Sequence, residues 1–203
     1  MTTAEQSQPE YRDLPPEDLY VKALSVQGGE TEIEGEVTWF ARIVMTGVDL
    51  KHLGSSEPAP RRQESVVLTL DLASALAIEL REVVHDIVRR TPTPTVPATG
   101  IWSWSSAPAQ AEELIVRDAE VYAVAIPFGY DERYTVRTDF VGTFVHKLSS
   151  DETPADLLGT VFSGPRQVQA LVSSLRKVVS SAAEKRRLEQ LVSADRSGTA
   201  FGL

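Results

Sequence analysis

Apolar and polar side chains alternate along Ile33, Val37, Trp39, Ala41, Ile43 and Met45, with Glu34, Glu36, Thr38 and Arg42 between them. A strand sends successive side chains to opposite faces, so this period of two predicts a half-buried β-strand. Tyr134, Val136 and Phe140 alternate with Arg133, Thr135, Arg137 and Asp139 in the same way. Upstream, Gly28-Gly29 separates LYVKALSVQ from ETEIEGEVTW. Such a pair between apolar runs predicts a hairpin turn.

Elsewhere the period changes to three and four. Leu72, Leu76, Leu80, Val83, Val84 and Ile87 make one such stripe, and Val168, Leu171, Val172, Leu175, Val178, Val179 and Ala182 make another. Each predicts an amphipathic helix whose apolar side covers a sheet. The second helix is expected to begin at Ser163-Gly164-Pro165, where a cap precedes a proline whose missing N–H is harmless, and to end near Val192. The first ends by Arg90, because Pro92, Pro94 and Pro97 cannot continue it. Between the helix and the next strands lies TPTPTVPATGIWSWSSAPAQA, a linker by composition. Trp102 and Trp104 interrupt its polar character. Either they pin the linker back onto a sheet, or they dock another protein or subunit.

The two halves carry the same pattern. A shift of 95 residues lays Glu17–Val84 on Glu112–Val179 without a gap, with 16 of 68 positions identical. Leu19 and Val21 meet Leu114 and Val116, Arg42 meets Arg137, Gly47 meets Gly142, and Arg81 meets Arg176. Trp39 falls on Tyr134 and Met45 on Phe140, so the apolar face is kept as well. The expected fold class is therefore α+β: two tandem pseudo-symmetric units, each an antiparallel sheet of three or more strands covered by one amphipathic helix. The boundaries read as a flexible N-terminus over 1–16, a first β-β-β-α repeat over 17–90, a linker over 91–111, a second repeat over 112–192 and a tail over 193–203.

Charge and composition narrow the function. A net charge of −9 repels a phosphate backbone, so nucleic acid is not an expected partner. The absence of cysteine removes disulfides, thiolate metal sites and thiol nucleophiles, and fits a reducing, cytoplasmic setting. No apolar run is long enough to span a bilayer, and the first residues are polar and acidic, so no membrane association is expected.

Chemistry-bearing patterns are sparse. There is no phosphate loop, dinucleotide fingerprint or nucleophile elbow. His52, His85 and His146 lack a second histidine at helical metal-ligand spacing, although His52 and His146 end corresponding strands and would form a pair if the halves brought them together. Glu32, Glu34 and Glu36 read as the solvent side of a strand. No catalytic, cofactor or metal residue is assigned. The candidate partner-binding residues are Trp102, Trp104, Arg42 and Arg137. The repeated pairs Arg42 with Arg137 and Arg81 with Arg176 either form salt bridges between sheet and helix or lie at the surface, or else make a binding face for an acidic or phosphorylated partner.

LYVKALSV followed by a meander and a covering helix resembles the subunit plan of SecB-type export chaperones. That resemblance implies binding of extended client chains along sheet and groove. The expected function is a non-enzymatic protein-interaction or assembly module that binds a protein partner or itself. The alternatives are a SecB-like chaperone, a small-ligand or metal-dependent enzyme with its site between the repeats, or a structural component of a phage or secretion particle.

Overall fold

In the computed structural model the described residues are 14–33, 36–53, 58–90, 100–104, 110–128, 131–148 and 155–198. The chain is α+β, with a seven-stranded mixed sheet and two helices. Three strands, β1 (Leu19–Ile33), β2 (Glu36–Asp49) and β3 (Arg62–Thr69), lead into helix α1 (Leu70–Arg90). A short strand β4 (Trp102–Trp104) follows, then β5 (Leu114–Phe128), β6 (Asp131–Phe144), β7 (Asp156–Phe162) and helix α2 (Pro165–Gly198).

The hydrogen-bonded order is β2-β3-β5-β6-β7-β1-β4, and β1 also pairs with β2. The pairings thus return to their start: six strands close a ring, and β4 is appended to β1. Antiparallel hairpins make most of this ring. Two parallel seams complete it, β3 with β5 at Val66–Leu114 and Val67–Ile115, and β7 with β1 at Thr160–Leu19 through Phe162–Val21. The strands therefore form one mixed sheet, whose parallel pairs the expected antiparallel units did not include.

Helix placement differs from expectation too. Parallel neighbours need a crossover connection, and α1 is the crossover between β3 and β5. It packs chiefly on β5, α2 packs chiefly on β1, and the helices pack on each other. Each helix thus covers strands of the other half of the chain. One core joins Ala41, Ile43, Met45, Leu68, Leu114, Phe140 and Phe162 to Leu76, Leu80, Leu171 and Leu175.

Gly28-Gly29 is not a turn but lies inside β1, which continues to Ile33 before turning back. Helix α2 begins at Pro165 as expected, with the Gly164 carbonyl accepting from Gln167 and Val168. It runs on to Gly198 instead of ending near Val192, because neither proline nor glycine interrupts it sooner. Of the expected termini, residues 1–13 and 199–203 lie outside the described residues, as do Glu34 and the side chains of Glu32 and Glu36.

Residues 95 apart occupy matching register positions in the hairpins. Both β1 and β5 carry a bulge, between Val21 and Ala23 and between Val116 and Asp118. Opposite the bulges stand Gly47 and Gly142. A Cβ on Gly47 would lie 2.0 Å from the Tyr20 carbonyl oxygen, and one on Gly142 would lie 2.1 Å from that of Ile115. The bulge pushes backbone over the facing strand, and only glycine leaves room. The ungapped spacing fails at the third strands, where Arg42 faces Val67 but Arg137 faces Val161, a spacing of 94. Ser163 then corresponds to Thr69, and the one extra residue Gly164 before Pro165 restores the spacing of 95, where β3 runs straight into α1 at Leu70.

Gly142→Ala is expected to cost roughly 2 kcal/mol or more, since backbone rather than a movable side chain must yield. Urea denaturation of Gly142→Ala and Gly47→Ala measures this, and the two losses should be similar.

Candidate functional site

Arg42 and Arg137 sit on the sheet face opposite the helices, and both are buried. Arg42 Nε lies 2.7 Å from Glu113 Oε1, and Arg42 Nη2 donates to Glu113 Oε2 at 3.1 Å. Ser65 Oγ donates to the same carboxylate at 2.8 Å and the Gln110 amide at 2.7 Å. Arg137 Nη1 lies 2.6 Å from Asp18 Oδ2, and its Nε 2.7 Å from Asp139 Oδ1. Tyr122 donates its hydroxyl to Asp139 at 2.8 Å.

These pairs are reciprocal. Asp18 and Glu113 stand 95 residues apart, as the arginines do, and each arginine reaches the acid belonging to the other half. Each acid closes a turn that opens a seam strand: the Asp18 amide donates to Pro15, and that of Glu113 to Gln110. The acids' own carbonyls accept from Leu50 and Val145 in the single 3-10 turns that follow β2 and β6. One ion pair therefore spans each parallel seam. A buried charge without its partner is costly, so the arginines tie the seams rather than face solvent.

The second pair is more acidic than the first. Asp139 replaces Val44, and Gly159 stands at β7 where β3 has Ser65, so Asp18 lacks a hydroxyl donor there. Burial pushes the Asp18 carboxyl up to about 6; Arg137 opposes the rise and Asp139 adds to it. Burial and the hydrogen bond to Asp139 also raise the Tyr122 hydroxyl well above its ordinary value.

Trp102 and Trp104 are half-buried in β4, which runs parallel to β1 at Val26–Gly28. The Trp104 ring lies 5.3 Å from that of Trp39, and Lys185 Nζ sits 4.1 Å from the Trp104 centroid. Gly28 makes this possible, because a Cβ there would come within 2.4 Å of the indole. A cation over an indole contributes about 0.5–2 kcal/mol. The tryptophans thus pin the linker onto the sheet.

Arg81 and Arg176 come together. A groove of about 510 Å³ between α1 and α2 is floored by Val84, Val88 and Val172 and rimmed by Arg81, His85, Arg176 and Lys177. A second hollow of about 380 Å³, against Trp102 and Ser180, shares Arg176 and Lys177. All four cationic or imidazole side chains of the rim are exposed, and among the described residues none has a carboxylate within ion-pair distance.

His52 is half-buried, and His146 places Nδ1 2.8 Å from the Ala111 carbonyl oxygen. Among the described residues no three histidines or carboxylates are grouped to hold a metal ion, and no helix is long and apolar enough to cross a membrane. Sequence reasoning missed Asp18, Glu113 and Lys177. The first two carried a signal: acids kept in place by the same shift that keeps the arginines. No protein-family model, curated protein or solved structure matches the chain.

Two outcomes follow from the ion pairs. Arg42→Met should lose about 3–5 kcal/mol in chemical denaturation, and adding Glu113→Leu should recover most of it, because the stranded carboxylate causes the loss. The folded Asp18 carboxyl binds its proton more tightly than an unfolded one, whose value is 3.8. Its stabilising contribution is thus full below pH 3.8 and lost as pH rises towards about 6. Asp18→Asn should flatten the stability profile across that window, measured by urea midpoints.

Proposed function

We propose that this chain is a non-enzymatic protein-interaction module, built by duplication of a β-β-β-α unit, that holds an acidic, partly apolar segment of a partner protein between its two helices. The duplication is supported by the paired bulges, the facing glycines, the 3-10 turns and the reciprocal ion pairs, all of which recur at the same spacing.

The observation that carries the function is the groove. Arg81 and Arg176, which the repeat superimposes, rim one apolar trough together with His85 and Lys177. The molecule as a whole is acidic, with a net charge of −9, so a local cationic strip with no carboxylate partner among the described residues is an unusual feature to leave exposed. An acidic partner would be repelled over most of the surface and attracted here. The apolar floor supplies contact area, and the charges set orientation. Trp102 extends the wall of the adjoining hollow, so it is a proposed partner contact, while Trp104, Arg42 and Arg137 hold the scaffold.

A fluorescein-labelled amphipathic peptide, with a leucine stripe flanked by glutamates, tests this by fluorescence polarisation at low salt. Saturable binding is expected, weakened by added salt and by roughly tenfold or more in Arg81→Glu/Arg176→Glu. Binding indifferent to charge reversal, or none at all, overturns the reading.

A further inference from the structure

Among the described residues, one side of β5 has no partner strand over the stretch where the matching side of β1 has β4. β2 flanks β1 along its length; the other side of β1 is taken by β7 at Leu19–Val21 and by β4 at Val26–Gly28. β6 flanks β5 in the same manner, and β3 takes its other side at Leu114 and Ile115. From Val116 onward no described strand pairs with that side. The Val26 amide donates across to Ile101 at 3.2 Å. Val121 holds the matching place, opposite Thr138 as Val26 is opposite Ile43, so its N–H points out at the open edge. Val26 is fully buried, whereas Val121 is half-buried.

Beside this edge is a pocket of about 250 Å³ whose walls include Val83, Ile87, Arg90, Val121, Ala123 and Tyr134. The residues 95 further on from the helix positions are Val178, Ala182 and Lys185, and those 95 before the strand positions are Val26, Gly28 and Trp39. Four of these, Val178, Lys185, Gly28 and Trp39, lie around Trp104. Trp39 meets its ring, Lys185 caps it, Gly28 lies beneath it, and Val178 comes within 3.1 Å of the same point below Gly28. The pocket beside β5 repeats much of that mould, and no described residue takes the place of Trp104 in it.

The differences define what fits. Ala123 carries a methyl group where Gly28 leaves room for an indole, so the occupant's side chain must be smaller than tryptophan. Arg90 stands in for Lys185 and makes no ion pair among the described residues, which leaves its planar guanidinium to stack on a ring. Asp86 also lines the pocket, which disfavours an acidic segment and separates this site from the groove.

We propose that the β5 edge at Val121–Ala123 and the adjoining pocket form a strand-addition site. It takes an extended segment of a partner protein, parallel to β5, with a phenylalanine or tyrosine seated between Tyr134 and Arg90. The backbone supplies affinity and the pocket selects the ring. The residue-by-residue match rests on the duplication reading; the unpaired edge and the pocket stand without it.

The probe is a labelled peptide of residues 100–106 carrying Trp104→Phe. Titration should saturate, and amide exchange should slow at Val121 and not at Val26. Val121→Pro removes the outward N–H, and Ala123→Leu fills the pocket; each should weaken binding by roughly tenfold or more. Arg81→Glu/Arg176→Glu should bind as wild type, so failure of the groove and failure of this edge are read separately. If Val121→Pro does not fold, Ala123→Leu decides. Binding that never saturates, or an Ala123→Leu protein with unchanged thermal midpoint and unchanged binding, overturns the proposal.

Discussion

The ring closes through two parallel seams of only two or three residue pairs each, and a buried arginine–carboxylate pair lies across both. So few backbone hydrogen bonds would leave the seams the weakest joints of the sheet. Each arginine is anchored in the middle of a long antiparallel hairpin, and each acid sits at the turn that opens a seam strand. The pairs therefore fix which strand follows which, and with what register. A misregistered seam would leave an arginine and an acid buried apart, which is a heavy penalty. This makes the pairs devices of specificity more than of net stability.

Everything above the sheet follows from that closure. Because β3 and β5 run parallel, α1 must cross over and settle on β5, and α2 then settles on β1. The helices meet along a line where their apolar stripes are not quite covered, and the groove with Arg81 and Arg176 is that uncovered line. The two halves then part company at one place. The linker lays Trp104 against β1, while the corresponding stretch of β5 meets no described strand.

Much of this was legible in the sequence, for physical reasons. Alternation at Trp39, Ala41, Ile43 and Met45 gave the strand and its buried face, because a half-buried strand has little freedom to break the period. The helical stripes were equally plain, and the cap at Gly164-Pro165 marked the start of α2. Gly28-Gly29 misled, since glycine signals both a turn and a close approach, and only the position of Trp104 tells which. Helix exchange was invisible because an amphipathic stripe says that a face is covered, not by which partner. Arg42 and Arg137 were singled out by the 95-residue shift, but their burial depended on Asp18 and Glu113, whose significance appears only when the seams join distant segments. The groove needed both helices in place before its rim could be seen.

The seam between β7 and β1 also bears on how the chain folds. It joins Leu19 to Thr160, close to opposite ends of the molecule, whereas β3 and β5 are separated by little more than α1 and the linker. Loop-closure entropy grows with the length of chain enclosed, so the β7–β1 contact is the slowest to find and the natural last event. Until it forms, Asp18 is hydrated and Arg137 has only Asp139. The ring therefore shuts like a clasp, with Asp18 on its catch.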